Sequence, residues 1–174
     1  LEGTKGARKP HHAYFETVWF NQWEPSTKRQ HAHETYVKNF GPIDEFTNED
    51  IAKVTSKVPD HDLLVGGFPC QDLSLAGAGK GLEGERSGLF FEIIRLTREL
   101  RPAFVFLENV PAVTLRGLDR ILLEFTALGY DCRWTIVSAE EVGAPHLRER
   151  WFLLAHANGP GLREQSGWSR RQSG

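Results

Sequence analysis

The chain has 174 residues, and its 21 Lys and Arg against 23 Asp and Glu give a formal charge of −2. Charged residues make up 25% and apolar residues 40%, a composition that is ordinary for a globular protein and excludes the extreme classes. No apolar run reaches the ~18 residues of a membrane span, and the near-neutral charge gives no general attraction to nucleic acid or anionic membrane.

Both ends of the chain predict irregular structure. The first residues lack apolar periodicity, and the residues after Ala157 are rich in Gly, Ser, Gln and Arg. We therefore predict an irregular segment over 1–14, one folded domain over 15–157, and a linker or disordered tail over 158–174. The chain contains no Met and begins with Leu1, so we expect it to be a piece of a longer protein.

Strand and helix patterns alternate through the central region. The patterns predict strands over 15–21, 62–65, 103–107, 130–138 and 150–155, and helices over 26–40, 89–100 and 118–128. This alternation is typical of an α/β fold with a mostly parallel sheet and helices on both faces. Because ligands bind where the strands of such a sheet end, polar residues after the strands are the candidates for function.

Cys70 follows one of these strands, after Gly66-Gly67-Phe68-Pro69. A thiol is only a few per cent ionised at neutral pH but is intrinsically a strong nucleophile. A cysteine is more often a small buried side chain, but two glycines and a proline shape a sharp turn before Cys70, and this context favours a reactive thiol. The other cysteine, Cys132, lies in an alternating strand, and we predict that it is structural.

Charged residues stand at two further strand ends. Glu108 follows the apolar run 103–107, where partial shielding from water lets a carboxylate share a proton with a ligand. A helix cap or a surface ion pair is an open alternative for Glu108. Arg148 and Arg150 are two residues apart, so on a strand they would point to the same side and could bind a phosphate or a carbonyl oxygen. A solvated strand end is equally compatible with that spacing.

The Gly-rich stretch 71–88 predicts a long loop, and we reject two phosphate-binding motifs within it. Lys80 is not followed by Ser or Thr, which excludes a Walker loop. The G-x-G-x-x-G string that begins at Gly79 does not follow a strand directly, so a dinucleotide site is excluded as well. His31 and His33 are two apart on a predicted helix and face apart, so we expect no metal site.

Together these motifs resemble the cytosine-5 DNA methyltransferase family. The resemblance covers about residues 15–155 and rests, in this order, on Gly66 to Gln71, on Glu108-Asn109-Val110 and on Arg148-Glu149-Arg150. It implies a Rossmann-like fold that uses S-adenosylmethionine. The fold would be incomplete here, because the family's opening glycine motif and its target-recognition region are not found in the chain.

The resemblance also implies roles for the catalytic candidates. The Cys70 thiolate would add to C6 of cytosine, so that C5 becomes able to take the methyl group. Glu108 would contact N3 and the exocyclic amine, and Arg150, together with Arg148, would orient the base. The family flips its target base out of the duplex, and the loop 72–88 fits a segment that closes over it. DNA contacts are expected at Gln71, Ser74, Lys80 and Arg86.

The resemblance implies a cofactor site near the start of the domain. It places S-adenosylmethionine against Gln22, Trp23, Glu24, Asp50, Ile51, Phe68 and Pro69. Trp23 suits stacking on adenine. Gln22 stands where the family has a Glu that binds the ribose, and His146 stands where a Gln is usual, so the chain departs from the family at both positions. We expect a monomer that acts on double-stranded DNA in the interior of a prokaryotic or phage cell, within a restriction-modification system.

Three alternatives accompany this interpretation. A tRNA-directed cytosine-5 methyltransferase shares the Cys and Glu-Asn-Val motifs. A truncated, non-catalytic DNA-binding relic would retain the motifs without methyl transfer, and we expect low or no activity from the chain alone. A cysteine hydrolase is disfavoured, because none of the seven His residues has the sequence context of a catalytic partner for Cys70.

Overall fold

The structure is a computed structural model that describes residues 17–40, 46–54, 58–69 and 88–159. The chain divides into two compact units, Leu1–Pro59 and Asp60–Gly174. No helix in the described ranges is long and apolar enough to cross a membrane. The predicted domain bounds after residues 14 and 157 stay predictions.

The described residues of the first unit form two short parallel strands and one helix. Its elements are β1 (Phe20–Asn21), α1 (His31–Phe40) and β2 (Phe46–Thr47), followed by a 3-10 turn over Ile51–Lys53. Phe20 pairs with Phe46 in the parallel ladder. The rings of Phe20 and Tyr36 stack with centroids 4.6 Å apart, which holds α1 against β1.

Helix α1 begins five residues later than the predicted start at residue 26, because side-chain hydrogen bonds shape the preceding residues into a turn. The Gln30 amide donates to the carbonyls of Glu24 and Thr27 at 2.8 and 2.9 Å, and its Oε1 accepts from the Glu24 N–H at 2.8 Å. These bonds use backbone groups that a longer helix would need. Similarly, the predicted strand 15–21 is reduced to β1 among the described residues.

The second unit, where the structure describes it, forms a four-stranded sheet and three helices. Its elements are β3 (Leu63–Gly67), α2 (Gly88–Leu100), β4 (Phe104–Asn109), α3 (Val113–Arg116), α4 (Leu118–Ala127), β5 (Tyr130–Ser138) and β6 (Glu149–Ala157). The spatial order of the strands is β3-β4-β6-β5. The α/β class predicted from the sequence is confirmed, while α3 and β2 were not predicted.

The sheet of the second unit is mixed. β3 and β4 are parallel and are linked through α2, as the alternation of strand and helix predicts. β6 runs antiparallel to both of its neighbours, β4 and β5. Only residues 139–148 join β5 to β6, fewer than the roughly dozen residues that a parallel crossover needs, so the two strands form an antiparallel pair.

Helices α2 and α4 cover one face of this sheet. A Cβ added to Gly66 would lie 3.4 Å from Ile93 of α2, and the Phe125 ring of α4 lies 6.0 Å from the ring of Tyr130. The core between them consists of fully buried apolar side chains, among them Phe90, Val105, Leu107, Ile121, Phe125, Trp151 and Leu153. The packing of this layer fixes the ends of β3, β4 and β6, where the candidate residues of the second unit lie.

Candidate active site

Two polar segments meet at the edge of the first unit. Gln22, Trp23 and Glu24 follow β1, whereas Asp50 and Ile51 follow β2 closely. Because β1 and β2 are parallel, their C-terminal ends lie side by side. A hydrogen bond of 3.4 Å from the Glu49 N–H to the Asn21 side-chain oxygen joins the two residues that precede these segments. We call these five residues, 22–24, 50 and 51, the first-unit site.

The first-unit site offers one aromatic face and two carboxylates. Trp23 is 41% exposed, so its indole face is accessible to a ligand. The Glu24 carboxylate accepts from the hydroxyl and the N–H of Ser26, at 2.7 and 3.1 Å, and these bonds lower the pKa of Glu24. Asp50 accepts from the Ala52 N–H at 3.1 Å and caps the 3-10 turn. Stacking and hydroxyl recognition are the chemistry that this set supports.

In the second unit, an ion pair marks the end of β4. Arg150 Nε lies 2.8 Å from Glu108 Oε1, and the two side chains are 24% and 46% exposed. The Arg150 guanidinium also donates to the Glu149 carbonyl at 2.7 Å, which holds its plane in one orientation. The pair therefore presents a fixed, partly exposed carboxylate beside a fixed positive charge.

Gly67 lies directly beside this carboxylate. It pairs with Glu108 in the β3–β4 ladder, and an added Cβ would lie 3.6 Å from Glu108 Oε2. Because residue 67 has no side chain, none fills the space between its backbone and Glu108 Oε2.

Phe68 is anchored where the chain leaves β3. Its side chain is 6% exposed and its ring lies 5.3 Å from the ring of Phe90 in α2. Its carbonyl accepts a hydrogen bond from the Asn109 side-chain amide at 2.9 Å. Pro69 follows and is exposed. We call Phe68, Pro69, Glu108, Arg148 and Arg150 the second-unit site.

The structure brings together part of the predicted second-unit site. Arg150 contacts Glu108, but Arg148 is exposed and lies one residue before β6 begins. Strand alternation therefore does not set the direction of the Arg148 side chain. Its carbonyl accepts from the Ala139 N–H at 3.1 Å, which closes the β5–β6 connection.

Several predicted site residues lie outside the described residues, namely Cys70, Gln71, Ser74, Lys80 and Arg86. Their roles stay predictions. The other thiol is described: Cys132 is free and half-buried, and burial, with the charge of Asp131, raises its pKa from 9.0 to about 11. A thiol that holds its proton this firmly is a poor nucleophile at neutral pH, which agrees with the structural role predicted for Cys132.

Sequence reasoning placed Gly66 and Gly67 in a sharp turn after a strand that ends at residue 65, and this was wrong, because both glycines pair with β4 as the last residues of β3. It assigned no role to Asn109. Asn109 is 4% exposed and links two strand ends, and its position directly after Glu108 was the available signal. Gly67 is adjacent to Phe68 in the sequence, but only the strand register shows that it lies beside Glu108. Among the described residues, no three His, Cys, Asp or Glu side chains are placed to hold a metal ion.

Comparison with known sequences matches the chain to one protein family. Residues 3–172 match the profile of the family described as C-5 cytosine-specific DNA methylase. The chain is 36% identical over 169 residues to the type II methyltransferase M.Sau3AI of Staphylococcus aureus, covering 90% of this chain and 39% of that relative. It is 36% identical over 148 residues to the type II methyltransferase M.HhaI of Haemophilus parahaemolyticus, covering 82% and 43%. The chain thus spans about two-fifths of the length of these relatives.

Solved structures show the same fold. The S. pombe Dnmt2 methyltransferase matches with a TM-score of 0.64 and 22% identity, covering 90% of this chain and 50% of that one. A Spodoptera frugiperda DNMT2 mutant matches with a TM-score of 0.62 and 19% identity, covering 91% and 46%. Both support the α/β methyltransferase-like architecture predicted from the sequence.

Proposed function

The chain belongs to the C-5 cytosine-specific DNA methylase family, and from this premise we propose that it carries the catalytic centre of a DNA (cytosine-5)-methyltransferase. Relatives that it matches are named type II methyltransferases, from bacteria and from a chlorella virus. Because it spans about two-fifths of the first two of these relatives, the activity, substrate and partners of a whole protein are part of the proposal.

Cys70 is the proposed nucleophile. Its thiolate forms a C–S bond to C6 of cytosine, and the electron pair of the C5–C6 double bond becomes available at C5 for a methyl group. The methyl group would come from the sulfonium sulfur of S-adenosylmethionine, which would keep the electron pair of the broken S–CH3 bond and leave as S-adenosylhomocysteine. Loss of the C5 proton to a base or to water and cleavage of the C–S bond then regenerate the thiolate and leave 5-methylcytosine. The raised pKa of Cys132 supports the choice of Cys70, because the second thiol of the chain is poorly ionised at neutral pH.

The Glu108–Arg150 pair is the observation that carries the proposal. Addition of sulfur to C6 places negative charge on the ring, and a protonated N3 or a well-bound exocyclic amine reduces its cost. Glu108 Oε2, beside Gly67, can accept a hydrogen bond from the amine or share a proton with N3. Arg150 holds the other oxygen at 2.8 Å, so that the carboxylate keeps one orientation.

S-adenosylmethionine is the proposed methyl donor. The first-unit site fits its adenosine part: the Trp23 indole suits stacking on adenine, and Glu24 and Asp50 can accept from hydroxyl or amine donors. Gln22 and Ile51 complete this set, and Phe68 and Pro69 are proposed contacts on the methionine side. Gln22 would bind a ribose hydroxyl as a neutral amide, which is weaker than the carboxylate usual at this position in the family.

Double-stranded DNA is the proposed substrate. A base inside a duplex is inaccessible to a thiol at a strand end, so the target cytosine has to leave the stack at a cost of a few kcal/mol. Gln71, Ser74, Lys80 and Arg86 are the proposed DNA contacts. Closure of their segment over the base would exclude water from the thiolate.

Trapping with 5-fluorocytosine tests the proposal directly. The fluorine at C5 cannot leave as a proton does, so an enzyme that adds a thiolate to C6 and transfers methyl stays covalently attached to the DNA. The chain is incubated with labelled S-adenosylmethionine and a duplex that contains 5-fluorocytosine, and the adduct is measured on a denaturing gel. Because each single turnover leaves a stable adduct, even the low activity expected of this chain alone should give an adduct with the parent chain and with Cys132→Ser, and none with Cys70→Ser.

Two outcomes would contradict the proposal. An adduct that persists in Cys70→Ser excludes this nucleophile. No adduct, together with no binding of S-adenosylmethionine by calorimetry, favours the non-catalytic relic. A parallel reaction with a tRNA that contains 5-fluorocytosine separates DNA from RNA specificity, because a tRNA-directed enzyme would be trapped on the RNA alone.

A further inference from the structure

The side chain of Gln30 closes the turn between β1 and α1. Gln30 is only 9% exposed. Its Nε2 donates to the carbonyls of Glu24 and Thr27 at 2.8 and 2.9 Å, and its Oε1 accepts from the Glu24 N–H at 2.8 Å. The amide thus uses its two N–H groups and its oxygen on the backbone of a single turn, residues 24–27.

The backbone of Gln30 belongs to a packed element. Its carbonyl accepts from the Glu34 N–H at 3.0 Å, a hydrogen bond of the first turn of α1. Helix α1 in turn packs on β1 through the stacked rings of Tyr36 and Phe20. The side chain reaches from this helix to Glu24, six residues earlier in the chain, and therefore ties the 24–27 turn to α1.

The turn carries two residues of the first-unit site. Trp23 and Glu24 are exposed, so core packing does little to hold them. The Glu24 N–H that Gln30 binds lies in the planar peptide group between these two residues, so this hydrogen bond fixes the plane that joins them. Because the Glu24 carbonyl is bound as well, the backbone on both sides of the Glu24 side chain has one orientation.

The position of Gln30 requires an amide. A Met side chain has a similar length but satisfies none of the three backbone groups. A Glu side chain has the same shape, and when ionised it could accept from the Glu24 N–H. Its second oxygen would then face the carbonyls of Glu24 and Thr27 as a further acceptor, in place of the donors that they bind now.

We propose that Gln30 is the positioning residue of the first-unit site: its amide fixes the 24–27 turn and so presents the Trp23 indole and the Glu24 carboxylate in the arrangement that receives the adenosine part of the methyl donor. This inference rests on the proposed function, in which these two side chains bind S-adenosylmethionine. A turn that is ordered before binding loses less conformational freedom on binding, so the affinity depends on Gln30 although its amide is used by the backbone.

Nuclear magnetic resonance of the full chain tests this assignment without methyl transfer. Three quantities are measured: hydrogen exchange of the Glu24 amide, the Trp23 indole N–H signal, identified by its loss in Trp23→Leu, and the dissociation constant of S-adenosylmethionine from a titration. We expect Gln30→Met to speed exchange of the Glu24 amide about tenfold or more. It should also shift the indole signal and weaken binding about tenfold or more. Gln30→Glu should do the same at neutral pH, although it keeps the shape of the side chain.

Two comparisons separate positioning from a general loss of stability. Asn39→Ala is the matched control: it removes another side-chain amide bond of α1, to the Thr35 carbonyl at 2.7 Å, and should leave all three quantities unchanged. In the Trp23→Leu chain, Gln30→Met should weaken binding by only about threefold or less, because the ring through which Gln30 acts is gone. General destabilisation would weaken binding equally in both chains.

The possible outcomes separate the two proposals. A Glu24 amide that exchanges in the parent as fast as in the unfolded chain, or Gln30 variants that bind with the parent's affinity, overturns the positioning role, as do equal losses with and without Trp23. If the parent binds no S-adenosylmethionine, the proposed methyl donor fails. Unchanged exchange and indole signals in the Gln30 variants then overturn the positioning role as well, and changes in both uphold it. If binding responds as expected but no 5-fluorocytosine adduct forms, the positioning role stands and the proposed activity fails.

Discussion

Replacing Cys70 by Ser leaves Cys132 as the only thiol of the chain, and this thiol should react slowly. Burial raises the pKa of Cys132 from 9.0 to about 11. At pH 8 the thiolate fraction then falls from about 9% to about 0.1%, a loss of about 90-fold. A thiolate of higher pKa is intrinsically more nucleophilic, and at a Brønsted slope of ~0.45 this pKa difference raises its reactivity about eightfold. The two effects together predict that Cys132 reacts about tenfold more slowly in the folded chain than in the unfolded chain.

The assay compares one chain in two states. Cys70→Ser is reacted with iodoacetamide at pH 8, native and urea-unfolded, and labelling of Cys132 is followed by mass spectrometry. We expect the native rate to be at least about tenfold lower than the unfolded rate, because restricted access to a half-buried sulfur adds to the effect of its pKa. The matched Cys132→Ser chain reports Cys70 under the same conditions.

Two results would refute the reasoning. Native and unfolded rates for Cys132 within about threefold of each other would show that the fold does not suppress ionisation of this thiol. Faster labelling of Cys132 than of Cys70 in the parent chain would remove the support that the pKa of Cys132 gives to Cys70 as the nucleophile.

Three further predictions concern the second unit. Arg150→Met, which leaves Glu108 unpaired, should lower the rate of 5-fluorocytosine adduct formation about 100-fold. It should lower the free energy of unfolding by only about 0.5–1 kcal/mol, because the pair is partly exposed. Arg95→Met, which breaks surface ion pairs of α2, is the control and should cause a similar loss of stability without the loss of rate. Tyr130→Phe should cost about 1–2 kcal/mol in urea unfolding, since its buried hydroxyl donates to a backbone carbonyl at 2.6 Å, and a loss below ~0.3 kcal/mol would contradict this. The folded chain holds the Cys132 proton more tightly than the unfolded chain, so this thiol's contribution to stability is complete below pH 9.0 and is lost as pH rises toward about 11. The free energy of unfolding of the parent chain should therefore decrease at alkaline pH by about 1–2 kcal/mol more than that of Cys132→Ser, measured as a difference between the two chains.

Helix ends show where local patterns stop being informative. The apolar spacing of α2 and α4 predicted both helices closely, because their buried faces follow the helical repeat. The start of α1 was predicted at residue 26 because Pro25 and Ser26 are typical of a helix start. In the structure α1 begins at His31, because Gln30 binds the backbone of Glu24 and Thr27, and the apolar periodicity of the sequence gives no sign of these hydrogen bonds.

For the candidate site, too, the sequence identified the residues but not their contacts. The Glu108 and Arg150 motifs were recognised from the sequence, with a surface ion pair left open for Glu108 and a solvated strand end for the arginines. The structure shows that the two residues form an ion pair with each other and that Arg148 lies outside β6. The role of Asn109 depends on its contact with Phe68, which is distant in the chain.

The sequence by itself determined the family, the α/β class and the residue types available for chemistry, because motifs and apolar periods are properties of neighbouring residues. Only the tertiary structure decided that β6 lies antiparallel between β4 and β5, which places Arg150 beside Glu108 and leaves room at Gly67. Strand order and register depend on packing and connection lengths across the whole sheet. Contacts between residues far apart in the chain follow from them and cannot be obtained from local pattern.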